Sequence, residues 1–319
     1  MDEQFVSPFG DFVLKRLPDT DRNLRAWDNA DVYLLNYLAD NQLPRINSRI
    51  LIVNDSFGAL TVALSDFNCD NYSDSYIAQQ AARNNLQRNR INHADINYIK
   101  STEQLPGQYD LVLIKNIKTL ALLEDELAAI RPRLKTNATV IAAVMAKNLQ
   151  RSVLDSFAKI LGPAKATLAW KKARLIHVDI DPEISLPDTL TPVTFTLDDS
   201  KSVIYNLANV FSKRRLDIGT RFFLHHLPKQ GHYQDIIDLG CGNGVLALKA
   251  AHLFPDSRIT CVDESYMAVE SARLTLKMNQ VESDKYVCKA NNSLQNFTPN
   301  SVDLIPVSYT HLRAHETER

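Results

Sequence analysis

Short apolar runs alternate with helical patterns along most of this chain. Residues 49–53 (RILIV) and 109–114 (YDLVLI) are rich in branched aliphatic side chains, which is typical of buried strands. Residues 120–127 instead repeat apolar side chains at helical spacing, so a helix packed on a core is predicted there. The alternation runs through residues 49–180 and favours a parallel sheet with helices on both faces. The predicted fold class is therefore α/β.

The second half of the chain repeats the first at an offset of roughly 185–190 residues. The strand and turn at 49–58 resemble those at 235–242, and residues 109–114 resemble residues 302–305. Spaced identities also place Thr61–Leu64 on Val245–Leu248, Ser75–Ala78 on Ser265–Ala268, and Ala82, Arg83, Leu86 and Asn89 on Ala272, Arg273, Leu276 and Asn279. An internal duplication leaves this spacing, and generic strand–helix patterning with chance identities is the alternative.

Composition favours two domains. The chain has 319 residues, enough for about two domains. Residues 181–192 shift to Pro, Asp and Thr and predict a linker between a first domain over residues 1–180 and a second over residues 193–305.

Charge, hydropathy and cysteine spacing exclude several classes of protein. The net charge is −1, so nucleic-acid binding would need a local basic patch. The four cysteines show no C-x-x-C spacing, which argues against a zinc site or a disulfide framework. No apolar stretch is long enough to cross a bilayer. We expect a cytoplasmic monomer that uses no metal and binds no membrane.

The most informative segment is the turn after the strand at residues 235–239. Gly240, Gly242 and Gly244 alternate there, and glycine allows positive φ and close approach of a ligand to the backbone. The spacing is G-x-G-x-G, not the G-x-G-x-x-G of dinucleotide sites. Asp238 would repel a pyrophosphate but pair with an ammonium, and Asp263 ends the next strand, where a carboxylate can accept ribose hydroxyls. A ligand-free tight turn would explain the glycines but not the two acids.

The first half departs from this pattern where a ligand would bind. Only Gly58 of the three glycines remains, and Ser73 stands where the second half has Asp263. Phe57 would crowd a ligand that needs bare backbone. We therefore expect the first half to have lost its ligand.

The D-x-G-x-G-x-G turn with a downstream acid resembles the S-adenosylmethionine site of class I methyltransferases. With the degenerate first half, the chain resembles the bacterial ribosomal RNA guanine-N2 methyltransferases built from duplicated halves, and most of all their large-subunit group. This likeness runs to about Ile305 and is carried by residues 24–38, 54–60, 118–124 and 167–176. It implies two tandem Rossmann-like methyltransferase domains. The first is degenerate, with a structural or RNA-recognition role, and the second is incomplete.

The resemblance also implies a site for S-adenosylmethionine and for ribosomal RNA of the large subunit. Asp238, Gly240, Gly242 and Gly244 would line the methionine end, Asp263 would hold the ribose, and Asn292 would reach the adenine. Phe211 would lie near the target base, unless it only packs the preceding hairpin on a helix. Two basic groups would meet RNA phosphates or face solvent: Lys213, Arg214 and Arg215, and Lys171, Lys172 and Arg174 on a predicted strand over residues 169–178.

The family carries an Asn-Pro-Pro-Phe-like catalytic loop after the fourth strand, and this chain shows none after Ile305. Residues 307–317 match the translation of a transposase-type sequencing adapter, so residues 306–319 are expected to be a non-native tail on a truncated chain. A divergent natural helix cap is the alternative. His311 and His315 lie four residues apart, but no further metal ligand accompanies them. No catalytic residue is assigned, and the chain is expected to be inactive.

Two other functions remain open. The chain could be a non-catalytic RNA-binding protein that keeps the methyltransferase fold. It could also methylate a protein or a small molecule through the same cofactor site.

Overall fold

The computed structural model describes residues 3–18, 24–92, 94, 96–115, 117, 119–185, 192–197, 200–210 and 215–307. The chain divides into unit 1, residues 1–190, and unit 2, residues 191–319. Three predicted RNA-binding residues, Phe211, Lys213 and Arg214, lie outside the described residues, as does the predicted tail from residue 308 onward.

Unit 1 begins with an antiparallel hairpin and a helix, which precede one seven-stranded sheet. Its elements are β1 (Gln4–Ser7), β2 (Gly10–Val13), α1 (Asn29–Asp40), β3 (Arg49–Val53), α2 (Ala59–Ala63), β4 (Asn68–Ser73), α3 (Tyr76–Arg88), β5 (Asn97–Lys100), β6 (Tyr109–Lys115), α4 (Leu120–Ile130), β7 (Leu134–Met145), α5 (Arg151–Ile160), β8 (Ala164–Ala166) and β9 (Ala173–Val178). The strand order is β5-β4-β3-β6-β7-β9-β8.

Strands β3 to β7 are parallel, and β9 pairs antiparallel with both β7 and β8. The central strand β3 is apolar on both faces: Ile50 and Ile52 join one core cluster, and Leu51 and Val53 join the other. This follows from the strand period of two, which sends successive side chains to opposite faces. Helices cover both faces, so the predicted α/β class is confirmed.

Unit 2 has the same opening pattern, with a hairpin, a helix and then a parallel sheet. Its elements are β10 (Val193–Thr196), β11 (Val203–Asn206), α6 (Ile218–His226), β12 (Asp235–Leu239), α7 (Val245–Leu253), β13 (Arg258–Asp263), α8 (Tyr266–Met278) and β14 (Tyr286–Ala290). The strand order is β12-β13-β14. Leu304 and Val307 form parallel bridges to the other edge of β12, where β6 lies beside β3 in unit 1.

Equivalent side chains make equivalent hydrogen bonds in the two units. The backbone N–H of Arg49 donates to Oδ2 of Asp110 at 2.8 Å, and that of Asp235 donates to Oδ2 of Asp303 at 3.0 Å. Both bonds join the start of the first sheet strand to the neighbouring strand of the fold. A duplicated fold explains this match more simply than chance patterning.

In both units the hairpin is held to the end of a helix in the same way. The side-chain amide of Asn89 donates to the carbonyl of Val13 and accepts from its N–H, each at 2.8 Å. Asn279 does the same for Val203, at 2.7 Å and 3.0 Å. Each asparagine directly follows the helix after the second sheet strand, α3 or α8.

The structure corrects the sequence alignment of α2 and α7 by two residues. Gly58 and Gly244 are the N-caps of these helices, with φ of 85° and 75°. Ala59 is therefore equivalent to Val245, and Thr61 to Ala247. No helix among the described residues is both long and apolar enough to cross a membrane.

Candidate functional site

The candidate site lies at the carboxyl end of β12, where the alternating glycines form a turn. Gly240, Gly242 and Gly244 have φ of 72°, 50° and 75°, a region that side-chain-bearing residues rarely adopt. The N–H groups of Gly240 and Cys241 both donate to the carbonyl of Val262, at 2.8 Å and 3.0 Å. These bonds fasten the turn to the neighbouring strand β13.

The glycines meet different requirements. A Cβ on Gly244 would lie 2.7 Å from the Cα of Ala272 on α8, so packing alone demands glycine there. A Cβ on Gly242 would meet no atom within 4 Å. In unit 1, a Cβ on Gly58 would lie 2.5 Å from the Cα of Ala82. The glycine that unit 1 retains is therefore the one that helix packing requires.

Asp263 lies at the tip of β13 with its carboxylate against the glycine turn. Its Oδ2 accepts from the N–H of Gly242 at 3.0 Å, and its Oδ1 accepts from the N–H of Ser265 at 3.1 Å. The side chain is half-buried. The structure thus brings together the bare backbone and the carboxylate that the sequence singled out at two strand ends.

Asp238 is almost completely buried, with 1% of its surface exposed. Its Oδ2 accepts from the N–H of Ala247 in the first turn of α7 at 3.0 Å. Its Oδ1 has no hydrogen-bond partner among the described residues. Burial raises the pKa of this carboxyl to about 7, because ionisation would place a charge away from water. Direct pairing with a ligand ammonium stays a prediction.

Asn291 and Asn292 follow β14 at the same edge of the sheet. The amide of Asn291 donates to the carbonyls of Ser293 and Gln295, at 3.2 Å and 2.8 Å, and so shapes the local turn. Asn292 is half-buried beside it, and contact with an adenine stays a prediction for this residue.

The sequence did not reveal one buried pair of side-chain amides. The side chain of Asn243 donates to Oδ1 of Asn206 at 2.9 Å, and Asn206 in turn donates to the carbonyl of Val193 at 3.2 Å. This pair fastens the glycine turn to the β10–β11 hairpin. The position of Asn243 inside the glycine motif was a signal for its importance, but nothing in the sequence marks Asn206 as its partner.

Side chains fill the equivalent crevice of unit 1. Asn54 takes the place of Gly240 with φ of 59°, and its amide donates to both carboxylate oxygens of Glu126 at 2.8 Å and 2.9 Å. The hydroxyl of Ser101 donates to Asp74 at 2.6 Å. These polar groups occupy the carboxyl ends of the strands, where unit 2 presents bare backbone.

The predicted strand over residues 169–178 is wrong at its start, because β9 begins only at Ala173. Lys171 and Lys172, with φ of 44° and 67°, form a two-residue turn closed by Trp170 and Ala173. Two consecutive positive φ values produce the turn that joins tightly twisted antiparallel strands.

The predicted basic residues therefore do not share one strand face. Lys171 and Lys172 are exposed at a hairpin tip, and Arg174 is half-buried in β9. Arg215 is exposed in unit 2. No group of three or more His, Cys, Asp or Glu side chains in the described part of the chain could hold a metal ion.

Two family models and a solved structure of similar fold match this chain. Residues 2–182 match the family model described as the RLMG N-terminal domain, and residues 201–308 match the model described as the methyltransferase small domain. The structure is similar to that of the T. thermophilus 16S rRNA N2 G1207 methyltransferase RsmC in complex with AdoMet and guanosine. That match has a TM-score of 0.72 at 18% identity and covers 97% of this chain and 81% of that chain.

Two further solved structures match only part of the chain. A TehB-like SAM-dependent methyltransferase from Corynebacterium glutamicum has a TM-score of 0.35 at 14% identity, covering 44% of this chain and 83% of that chain. The ribosomal protein L11 methylase of Lactobacillus delbrueckii has a TM-score of 0.38 at 14% identity, covering 49% and 81%. Since the first family model spans more than half of the sequence, the chain belongs to the family defined by the RLMG N-terminal domain.

Proposed function

We propose that this chain has the fold and cofactor site of an S-adenosylmethionine-dependent methyltransferase whose target is the exocyclic N2 of a guanine in ribosomal RNA of the large subunit. Unit 2 would carry the cofactor site, and unit 1 would carry none. The observation behind the proposal is the bond between Gly242 and Asp263, which puts bare backbone and a carboxylate side by side at two strand tips. The structural similarity to an N2 guanine methyltransferase supports the reaction type.

The residues of unit 2 fit a sulfonium nucleoside. Gly242 leaves room over its α-carbon, where any side chain would stand between backbone and ligand. Asp263 would accept hydrogen bonds from the ribose hydroxyls, because a carboxylate oxygen can accept more than one hydrogen bond. Asn292, at the tip of the next strand, would reach the adenine, and Asp238 would favour the positive charge of the methionine end.

When bound, the cofactor supplies an electrophilic methyl group. The protein's contribution is then mainly to position the guanine amine against it. A guanine inside a duplex cannot reach a methyl group held at the edge of a sheet, so the target base must be unpaired or flipped out. Arg215 of unit 2, with Lys171 and Lys172 of unit 1, would hold RNA phosphates.

We also infer that the chain with this sequence binds cofactor without turning it over. The segment beside β12 reads Asp303-Leu304-Ile305-Pro306-Val307 and carries no Asn-Pro-Pro-Phe-like loop. The amine would then lack the acceptor groups that align it. Tritium transfer from labelled cofactor to unmodified large-subunit RNA is expected to be at background, and incorporation would contradict this inference.

Calorimetric titration of the full chain with S-adenosylmethionine tests the cofactor site. Asp263→Asn keeps an oxygen that can accept from Gly242 but loses the charge, and it should weaken binding at least tenfold, about 1.4 kcal/mol. Asp284→Asn is the matched control, because it removes the same charge from an exposed loop position before β14. Absence of binding by the unmodified chain, or equal affinities for the two variants, would refute the proposed site.

RNA preference needs a separate measurement. Filter binding with large-subunit and small-subunit ribosomal RNA as competitors should favour the large-subunit RNA. Equal competition by the two RNAs would contradict the proposed large-subunit target but not the proposed cofactor site of a methyltransferase.

A further inference from the structure

Unit 1 keeps an open cavity at the carboxyl edge of its sheet, although its crevice between β3 and β4 is filled. The cavity has a volume of about 130 Å³, and Phe57, Lys115 and Met145 lie in its wall. A single water needs only about 10–15 Å³ measured in this way, so the space suits a ligand of many atoms.

The cavity lies at the carboxyl ends of β6 and β7, beside the turn that follows β3. Lys115 directly follows Ile114, which pairs with Val53 as Val307 pairs with Leu239 in unit 2. Lys115 therefore stands at the end of the fourth strand of the fold. Asn54 and Glu126 occupy the counterpart of the position of Gly240, whereas the next residues of the turn, Asp55 and Phe57, line the cavity.

The polar wall of the cavity places carboxylates beside a buried ammonium. Lys115 is 5% exposed, and its Nζ lies 2.9 Å from Oδ1 of Asp28 and 3.0 Å from Oδ1 of Asp31. Asp55 lines the same cavity. A guanine presents two adjacent N–H donors next to a carbonyl oxygen, and this edge complements a carboxylate that neighbours an ammonium.

Aromatic rings and arginines complete the wall. The Arg16 guanidinium lies 4.4 Å from the centre of the Phe57 ring, and the Arg25 guanidinium lies 5.7 Å from the centre of the Trp27 rings. All four side chains line the cavity. Unpaired RNA bases are typically held by stacking on aromatic and guanidinium planes while their edges are read by hydrogen bonds.

Exposed cations stand near the cavity at the same edge of the sheet. Met145, a cavity residue, pairs with Ala173, and the next N–H, that of Ala146, donates to the carbonyl of Lys172 at 2.7 Å. The turn that carries the exposed Lys171 and Lys172 therefore lies beside the end of β7, and both cations would be available to RNA phosphates.

We propose that unit 1 binds an unpaired guanine nucleotide in this cavity, through Asp28 and Lys115 at the base edge and Trp27 and Phe57 at the rings. It would hold a second base of the RNA while unit 2 receives the target. The role in RNA recognition rests on the proposed function, but the binding itself does not.

Trp27 provides a local reporter for the test. The chain has two tryptophans, Trp27 and Trp170. Trp170→Phe leaves Trp27 as the only tryptophan and preserves an aromatic ring against Tyr33, whose ring centre lies 5.5 Å away. Guanosine monophosphate should quench Trp27 fluorescence in this full-length variant, and adenosine monophosphate should require at least tenfold higher concentration.

Asp28→Asn in the same background should weaken guanosine monophosphate binding at least tenfold. Asparagine caps a helix as well as aspartate does, so α1 should keep its start. Asp66→Asn is the matched control at an exposed position after α2, and it should bind as the background does. No quenching at millimolar nucleotide, equal response to both nucleotides, or an unaffected Asp28→Asn variant would overturn the proposal. Cofactor titration of unit 2 is independent of Trp27, so the two proposals fail separately.

Discussion

The backbone N–H of Gly242 donates a hydrogen bond to Oδ2 of Asp263 over 3.0 Å, and this bond ties the tips of β12 and β13 together. The same carboxylate accepts from Ser265 at the start of α8. One side chain therefore joins the glycine turn to the start of α8. Unit 1 has Ser73 at this position, and its hydroxyl accepts only from its own loop, at the N–H of Ser75, in the contacts described.

Alanine substitutions should separate the structural glycines from the binding glycine. Gly244→Ala and Gly58→Ala force a Cβ to within 2.7 Å and 2.5 Å of backbone atoms at positive φ. Each should destabilise its own unit by about 2–5 kcal/mol, from strain of roughly 1–2 kcal/mol and overpacking of roughly 1–3 kcal/mol.

The measurement is urea unfolding followed in two ways. Both tryptophans lie in unit 1. The urea midpoint measured by their fluorescence should therefore fall in Gly58→Ala and stay unchanged in Gly244→Ala, whereas circular dichroism should detect the loss of stability in both variants. Gly242→Ala should cost only the strain of its φ and chiefly reduce cofactor affinity. A stability loss in Gly242→Ala as large as that in Gly244→Ala would contradict this division.

Unit 2 should lose stability as the pH rises, through Asp238. Its pKa of about 7 in the folded state lies above the ordinary 3.8, so the folded state binds the proton more tightly than the unfolded chain. The resulting stabilisation is present below pH 4 and is lost as the pH rises towards 7, at about 1.4 kcal/mol per pH unit.

Asp238→Asn should remove this dependence, because the amide is neutral and its oxygen can still accept from Ala247. Unfolding of unit 2 is followed by circular dichroism between pH 5 and pH 8. The free energy of unfolding of the variant should rise relative to that of the unmodified protein as the pH increases. Asp284→Asn is the control, and its free energy of unfolding should differ from that of the unmodified protein by the same amount at every pH. A constant difference for Asp238→Asn as well would show that the carboxyl titrates normally.

The chain should bind one cofactor molecule. Asn54 and Glu126 occupy the place in unit 1 that Gly240 leaves bare in unit 2. Calorimetry should therefore give a stoichiometry of one, and Asp263→Asn should weaken that single site. A second site that is unaffected by Asp263→Asn would contradict the loss of binding in unit 1.

Asn54→Ala should destabilise unit 1 by about 2–3 kcal/mol, because the buried carboxylate of Glu126 loses two hydrogen bonds from the amide. Asn137→Ala, at an exposed position of β7, is the control and should change the stability by less than about 0.5 kcal/mol. Tryptophan fluorescence during urea unfolding measures both variants. Equal midpoints would show that the Asn54 amide contributes little.

Lys115→Met should destabilise unit 1 by about 3–5 kcal/mol at pH 8, because Asp31 is left buried without its cation. Burial already raises the pKa of Asp31 to about 6. The loss should therefore shrink at pH 5, where this carboxyl takes up a proton. The double variant Lys115→Met, Asp31→Asn should recover most of the stability, and a double variant as unstable as Lys115→Met would contradict the pairing.

Local features of the sequence were sufficient for much of this site. The D-x-G-x-G-x-G turn and Asp263 were recognisable because a strand end, a glycine turn and the next strand end follow one another within thirty residues. The duplication was recognisable because the same helix positions are reused, as Asn89 and Asn279 show. Family membership of the first unit also agrees with the resemblance carried by its sequence.

Other features depend on distant partners and were decided by the fold. The alignment of Thr61 was wrong by two residues. The acid that accepts from the N–H of Thr61 is Asp55 in a loop, whereas Asp238 on a strand accepts from the equivalent Ala247. The tip at Lys171 was placed on a strand, since nothing local predicts positive φ at two lysines. The hydrogen bond from the N–H of Ala247 on α7 to the buried Asp238 carboxylate was likewise visible only in the fold.

By itself, the sequence determined the α/β class, the two copies and the candidate site at the tip of β12, because these depend on periodicity and on residues close together in the chain. Only the tertiary structure decided which glycine serves packing and which is open, and it alone placed Lys115 between Asp28 and Asp31. Such choices arise from contacts between residues far apart in sequence, and no local pattern encodes them.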